Sequence, residues 1–339
     1  MRTAFGTEFD VPDGYLNTAS IGIPAAPVAE AVEHAVARWR TGAGRPPEFD
    51  EPVAVARAAY AQLVGVPTER VAIGASVSAL IGLVAASIPD GSDVLVARGD
   101  FTSTTWPFAA QTGRGVTITE VGLDELPHRA GEADVVAVSV VQSADGRVVD
   151  LAALRAAQSA GTLVVLDATQ ATGWLDADLG WADVVVGGAY KWLFSPRGAA
   201  WMAVRPELEL TPHHANWYAG DEVWKSVYDL PLRLAADARA LDTSPAWYCH
   251  VGAAVALPLL ANLDRAAVHA HCVGLGDALL TGLGAEPRGS AIVSLTRPDA
   301  AERLAAAGLV TSMRAGATRM SFHIYNTQSD VDRALDALT

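Results

Sequence analysis

Lys191 is one of only two lysines in a chain of 339 residues, the other being Lys225. It follows Gly187-Gly188-Ala189-Tyr190 at the end of the apolar run Asp183–Val186. An earlier run, Val164–Leu166, ends in Asp167, with Gln170 three residues on. Short β-branched runs of this kind read as strands buried on both faces. Two such strands would deliver a carboxylate and an amine at their C-terminal ends, where open α/β sheets form ligand crevices. That pairing suits Schiff-base chemistry with pyridoxal 5′-phosphate (PLP), in which a lysine holds the aldehyde and an acid partners the pyridine nitrogen. Lys191 would form the aldimine and then carry the α-proton. Burial and a nearby cation would depress its pKa. Asp167 would keep the ring nitrogen protonated, since an opposite charge favours the charged form. Gln170 could donate to the ring oxygen. Taken singly, a strand-terminal Asp also serves as a helix cap and a lysine as solvated surface; the pair carries the reading.

Upstream segments supply the rest of such a site. Gly74-Ala75-Ser76-Val77-Ser78 follows a strand candidate and opens an apolar helix. A helix N-terminus offers unpaired N–H groups and the positive end of a dipole, which suit a phosphate; the bland alternative is a serine N-cap. The segment is no P-loop, because the GK[ST] ending is absent. Asp100-Phe101-Thr102-Ser103-Thr104-Thr105-Trp106 follows the next strand, and a ring there can stack on a flat cofactor. Phe101 is the first choice and Trp106 the second, with core packing the alternative for each. Arg319 opens a late strand and Arg314 lies in the loop before it. Either fork could take a substrate carboxylate, or form a surface ion pair. Adjacent His213 and His214 cannot readily converge on one ion, so no metal site is expected.

Composition narrows the class. Hydrophobic residues make up 51% of the chain, enough for a large core, and the net charge is −14. No basic stripe appears, so nucleic acid is not an expected partner. Cys249 and Cys272 form no CxxC and no zinc spacing. So few cysteines suggest a reducing cytosol, and the N-terminus lacks the apolar core of a signal peptide. The run VAIGASVSALIGLVAASIP is long and apolar, but its Gly and Ser residues favour a strand and a buried helix over a membrane span.

Strand and helix patterns alternate from about Val71 to Trp201. Strands are predicted at Val71–Ile73, Asp93–Ala97, Val116–Val121, Val135–Val140, Leu163–Leu166, Asp183–Val186 and Ala199–Val204. Helices are predicted at Ala25–Thr41, Val77–Ser87, Thr105–Gln111 and Leu151–Ser159. This order argues for an α/β fold with a mainly parallel seven-stranded sheet between helices. The aromatic stretch Thr211–Leu232 is either a loop packed on its own core or an arm at a subunit interface. A long helix, Trp247–Leu263, leads into a smaller unit with strands near Ala291–Leu295 and Arg319–Phe322. A last helix, Ser329–Leu338, would be capped by Ser329 with Asp332 at its third position. The expected division is residues 1–20 as a segment near the active site, 21–246 as the large PLP-binding domain and 247–339 as a smaller α+β domain.

Together these residues resemble the class V aminotransferase family of fold-type I PLP enzymes, over nearly the whole chain and in order. Tyr15-Leu16-Asn17-Thr18-Ala19-Ser20 resembles the opening motif, and Gly74-Ala75-Ser76 the phosphate loop. Asp100-Phe101-Thr102-Ser103 resembles the cofactor-stacking segment, Asp167-Ala-Thr-Gln170 the ring-binding motif, and Tyr190-Lys191-Trp192-Leu193 the lysine motif. Asp237-Ala-Arg239 and Thr243-Ser244-Pro245 resemble the segment by which a partner subunit reaches the phosphate. The stretch from Arg319 to Thr327 is similar to the motif whose arginine takes the substrate carboxylate. The resemblance implies Lys191 and Asp167 as catalytic residues, and Gly74, Ala75, Ser76, Phe101, Gln170, Tyr190 and Ser244 as cofactor contacts. It implies Arg319, Arg314, Asn17 and Ser143 as substrate contacts, and a cytoplasmic homodimer with its active site at the subunit interface.

Departures from the family pattern bear on substrate. No cysteine follows Cys272, which speaks against the nucleophilic cysteine of a desulfurase. Tyr190 replaces the desulfurase histidine and favours the kynureninase- and epimerase-like side. Gly188 stands where many members place a phosphate-binding hydroxyl, and Gln142-Ser143 where desulfurases present an asparagine to the carboxylate. The expected activity is on a small α-amino acid or derivative, by transamination or by a β-eliminating (C–S) lyase reaction. Epimerisation or racemisation, and a PLP-binding pseudoenzyme, stand as alternatives. A nucleotide-binding oxidoreductase is disfavoured, since no GxGxxG follows the first strand.

Overall fold

A computed structural model describes all 339 residues. The chain opens with a small hairpin, β1 (Arg2–Ala4) and β2 (Thr7–Phe9), followed by helices α1 (Ala26–Arg40) and α2 (Asp50–Val64). A βα alternation follows: β3 (Val71–Gly74), α3 (Val77–Ser87), β4 (Asp93–Ala97), α4 (Thr102–Ala109), β5 (Thr117–Val121), α5 (Leu126–Arg129), β6 (Val135–Ser139) and α6 (Leu151–Ser159). Three further strands, β7 (Leu163–Asp167), β8 (Val184–Gly188) and β9 (Ala200–Val204), complete the sheet. Its seven strands run in the order β3-β9-β8-β7-β6-β4-β5. Only β9 runs against its neighbours. The C-terminal ends of β3, β4, β6, β7 and β8 therefore lie along one edge, together with the start of β9.

Alternation along each strand splits the core into two layers. Ala72, Val94, Val96, Val135, Ala137, Val165, Val184 and Val186 face α3 and α4 with Leu80, Val84 and Phe108. Val71, Ile73, Leu95, Val136, Val138, Val164, Leu166 and Val185 face the other way, against α2, α6 and the helix α7 (Trp247–Ala261). Both faces are covered, so the strands read as unbroken apolar runs.

The chain continues through α8 (Arg265–Gly282), β10 (Ile292–Leu295), α9 (Ala300–Ala306), β11 (Ser312–Arg314), β12 (Ala317–Ser321) and α10 (Gln328–Leu338). A three-stranded antiparallel sheet, β10-β12-β11, packs with these helices around Leu279, Val293, Leu304, Met320, Phe322 and Val331. Leu16 of the N-terminal segment joins this smaller core. Packing divides the chain later than expected. Ala253, Ala256 and Leu257 of α7 belong to the large core; the change comes along α8, where Val268 and Cys272 lie in the large core and Leu275 and Leu279 in the small one. We place the division there, because α7 packs along α1 and α2.

Other differences have local causes. α2 is absent from the sequence reading: its buried stripe, Val53, Ala56, Arg57, Tyr60, Ala61 and Val64, includes an arginine, while Ala54, Val55 and Ala58 are apolar but exposed, so residue type does not mark the stripe. α4 begins at Thr102, not Thr105, and accommodates Pro107. α10 is capped by Thr327 with Asp330 at its third position, not by Ser329 with Asp332. Asp330 also accepts from both Arg2 terminal nitrogens and from the Gly14 N–H, partners more than 300 residues away in sequence that no local pattern reveals. Arg314 lies on β11 rather than in a loop.

Candidate active site

The shared sheet edge gathers one cavity. It is lined by Ala75, Ser76, Val77 and Ser78 after β3, by Phe101 and Ser103 after β4, and by Ser139 and Ser143 after β6. Asp167, Thr169 and Gln170 come from the end of β7, Gly188, Tyr190 and Lys191 from β8, and Arg197 to Ala200 from the approach to β9. Strands ending at one edge are what bring residues as far apart as Ala75 and Ala200 to a common point.

Lys191 is 6% exposed and its amine has no hydrogen-bond partner. Its Nζ lies 5.3 Å from the centroid of the Phe101 ring and 5.5 Å from that of Tyr190. Burial pushes its pKa from 10.5 down to about 8; Asp167 opposes this shift, and Arg319, Arg314 and Arg197 add to it. The backbone before it is held by Gly22, whose N–H donates to the Tyr190 carbonyl at 2.9 Å. A Cβ at Gly22 would stand 1.9 Å from the Lys191 carbonyl oxygen, so only glycine permits this approach.

Asp167, the last residue of β7, is buried. Its carboxylate accepts from the Thr169 N–H at 2.9 Å and from the Thr104 hydroxyl at 3.1 Å. The Thr169 hydroxyl in turn accepts from the Gly188 N–H at 3.1 Å, which locks the ends of β7 and β8 together. Asp100 accepts from the Ser139 N–H at 2.7 Å and the Phe101 N–H at 2.6 Å, and so sets the backbone that presents the Phe101 ring. Burial, chiefly, raises the pKa of Asp100.

At the phosphate end, the Ser76 hydroxyl caps α3 by accepting from the Ala79 N–H at 3.3 Å. Gly74 stands behind the cavity: a Cβ there would strike Leu80 at 2.8 Å, so its role is to let α3 close on β3 rather than to touch a ligand. Trp106 is 69% exposed and lies outside the cavity, whereas Phe101 lines it.

Gln170 lines the cavity, but its amide donors are already used. Trp192 Nε1 donates to its Oε1 at 2.7 Å, and its Nε2 donates to the Ala19 carbonyl and the Ser143 hydroxyl, both at 3.1 Å. Ser143 lines the same cavity. Its Oγ accepts from Gln170 and from Arg319 at 3.0 Å, so its own proton is left for a group in the cavity.

Arg319 sits within β12 and is 1% exposed, behind Ser143. It donates to the Ser143 carbonyl and hydroxyl and to the Ser20 hydroxyl, with no carboxylate partner. Burial first, and then Arg314, lower its pKa to about 10. Arg314 is exposed and donates to the same Ser20 hydroxyl at 3.1 Å. Two guanidiniums thus converge on one hydroxyl, beside Ser143 of the cavity lining. Asn17 lies next to β12, bridged to Ser321, with its Oδ1 buried and unpartnered. Ser244 is exposed and does not reach this chain's own cavity.

Sequence reasoning missed Arg197, Thr104, Thr169 and the positioning role of Asp100. Arg197 had a signal, standing six residues after Lys191 in Ser-Pro-Arg-Gly. The threonines had none, because their use depends on pairing between strands. The cavity fits PLP: a ring face at Phe101, a buried carboxylate opposite an unpartnered amine, and a helix N-terminus at the far end.

The aminotransferase class-V family model matches residues 40–307. The chain is 28% identical over 318 residues to the uncharacterized aminotransferase YcbU of Bacillus subtilis (strain 168), covering 86% of this chain and 84% of that protein. It is 29% identical over 182 residues to the isopenicillin N epimerase of Streptomyces clavuligerus, covering 48% and 46%. Among solved structures, the cystine C–S lyase C-DES in complex with cysteine persulfide superposes with a TM-score of 0.85 over 97% of both chains at 18% identity, a likeness of fold. The chain belongs to the class V aminotransferase family and is a PLP-dependent enzyme.

Proposed function

We propose that this enzyme acts on a small α-amino acid, with Lys191 as the base that removes the α-proton. One observation carries the reading: a buried amine without a partner, with a pKa near 8, lies by the rings of Phe101 and Tyr190 in the cavity that Asp167 also lines, while an unpaired guanidinium waits behind Ser143. The bound cofactor supplies an electron sink for the carbanion. Asp167, held by Thr104 and Thr169, offers its carboxylate to the ring nitrogen. Arg319 and Arg314 take the substrate carboxylate, which fixes the α-carbon near Lys191 Nζ. A base with pKa close to ambient pH is suited to moving that proton in both directions.

The outcome we favour is transamination or β-elimination, both of which begin with the same proton. The likeness to an aminotransferase and to a C–S lyase supports this pair. Persulfide formation on a protein cysteine is disfavoured. Cys272 is fully buried, Cys249 donates to the Arg197 carbonyl at 3.2 Å, and neither lines the cavity. Incubating the holoenzyme with a panel of amino acids and identifying products separates the reactions. A keto acid with the aminated cofactor means transamination; ammonia with a keto acid means elimination; the inverted amino acid means epimerisation. No turnover with any of them would defeat the proposal.

We further infer a cytoplasmic homodimer. Ser244 is exposed and outside its own cavity, and Tyr228 and Leu230 are 79% and 86% exposed. The aromatic segment is partly self-packed: Trp217 meets Trp224 at 5.1 Å, and Trp224 Nε1 donates to Asp50. Both cysteines are free thiols, which suits a reducing compartment.

A further inference from the structure

The phosphate end of the cavity has N–H groups and hydroxyls but needs a counter-charge. A phosphate monoester carries close to two negative charges near neutral pH. Ser76 and Ser78 lie 3.3 Å apart and Gly188 contributes no side chain. Of the cations near the site, Arg319 and Arg314 are held at Ser20, by the smaller domain. Lys191 is committed to the aldehyde end.

Arg197 is the guanidinium that lines this cavity, and the register of the sheet fixes where it enters. Ala200, the first residue of β9, stands opposite Gly74 of β3 on one side and Gly188 of β8 on the other. The Arg197–Ala199 turn therefore reaches the sheet edge between the end of β3, which leads into α3, and the end of β8, which leads into Lys191. Distances agree. A Cβ placed on Gly188 would lie 3.6 Å from both Tyr190 Cε1 and Val77 Cγ2, so the Tyr190 ring and the first residue of α3 meet there. The Arg197 guanidinium carbon stands 5.1 Å from the centroid of that same ring. It makes no side-chain hydrogen bond and no ion pair; the Tyr190 face holds it while its N–H groups stay free.

We propose that Arg197 is the cation that binds the cofactor's phosphate, with the Tyr190 ring as the platform that aims it. The fork of the guanidinium matches two phosphate oxygens, and the first turn of α3 supplies further N–H donors. This rests on the PLP-dependent assignment and not on which reaction follows, so it can fail while the reaction proposed above stands.

Retention of the cofactor tests it directly. Holoenzyme carrying Arg197→Gln or Arg197→Lys is diluted, and release is followed by loss of visible absorbance. The same proteins loaded with pyridoxal, which lacks the phosphate, are the control. Arg197→Gln should weaken PLP retention by roughly tenfold to a hundredfold. Pyridoxal retention should change by less than about twofold. Arg197→Lys, a point charge without the fork, should fall between the wild type and the glutamine variant. Inorganic phosphate should improve pyridoxal retention in the wild type and not in Arg197→Gln. Because Arg197 is exposed and unbonded, its loss leaves the fold intact, and the pyridoxal control reports that. Equal weakening of both ligands, or unchanged PLP retention, overturns the proposal. So does an Arg197→Gln enzyme that keeps PLP but has a raised KM for amino acids with a second acid group, which would assign Arg197 to the substrate.

Discussion

Replacing Lys191 by methionine should stabilise the protein once its cofactor is stripped. The ammonium is buried with no hydrogen bond, and its pKa falls from 10.5 to about 8. At about 1.4 kcal/mol per pH unit, holding that charge costs the folded state roughly 3 kcal/mol. The sign follows from proton counting. Below about pH 8 both states hold the proton and the whole penalty is felt. Between about 8 and 10.5 the unfolded chain binds a proton that the folded chain has released, so wild-type stability rises with pH. Above 10.5 both forms are neutral and no penalty remains. Methionine keeps the length and apolar stem of lysine without the charge. The gain from Lys191→Met should then be about 3 kcal/mol near pH 7, about 2 near pH 9, and close to zero at 10.5. Urea unfolding of both cofactor-free proteins across this range measures it, and the difference between them cancels titrations elsewhere. A gain under about 1 kcal/mol near pH 7, or one that does not shrink toward pH 10, would refute the reasoning.

Three further outcomes are expected. Borohydride treatment of the holoenzyme should tag Lys191, and Lys191→Ala should lose the visible band and turnover; a tag on Lys225, which is exposed and paired with Glu222 at 2.6 Å, would remove the assignment. Asp167→Asn should lower kcat by more than about tenfold, roughly 1.4 kcal/mol, while the fold survives, and a smaller loss would mean that this carboxylate does not serve the ring. Arg319→Ala should weaken substrate binding by an amount on the order of 2–5 kcal/mol, seen as KM, with the cofactor spectrum unchanged and Arg314→Ala milder; if Arg319→Ala instead sheds the cofactor or unfolds, the hydrogen bonds to Ser143 and Ser20 are its main task.

The positions of Asp167 and Lys191 at one sheet edge were legible because their signals are local. A buried parallel strand is a short apolar run, and the polar residue that ends it marks the sheet edge; that holds for Asp167 on β7 and for Lys191 after β8. The serine N-cap of α3 and the ring of Phe101 could be placed for the same reason. Regions whose signal is not local were misread. α2 buries an arginine and exposes alanines and a valine, so its stripe does not show in residue type, and the cap of α10 shifted because Asp330 is claimed by Arg2 and Gly14.

Residue types and spacing thus determined the alternation, and placed the amine, the carboxylate and the Phe101 ring, since each depends on a few neighbours along the chain. Only the tertiary structure decided how the polar groups share their hydrogen bonds. Gln170 spends its donors on Ala19 and Ser143, Ser143 is left holding a free proton, and Gly74 yields to Leu80. It also decided that Arg319 and Arg314 meet at Ser20, and that Arg197 enters between β3 and β8. A donor or a charge acts on whatever lies within a few ångströms, and in this fold some of those neighbours come from segments more than 300 residues apart.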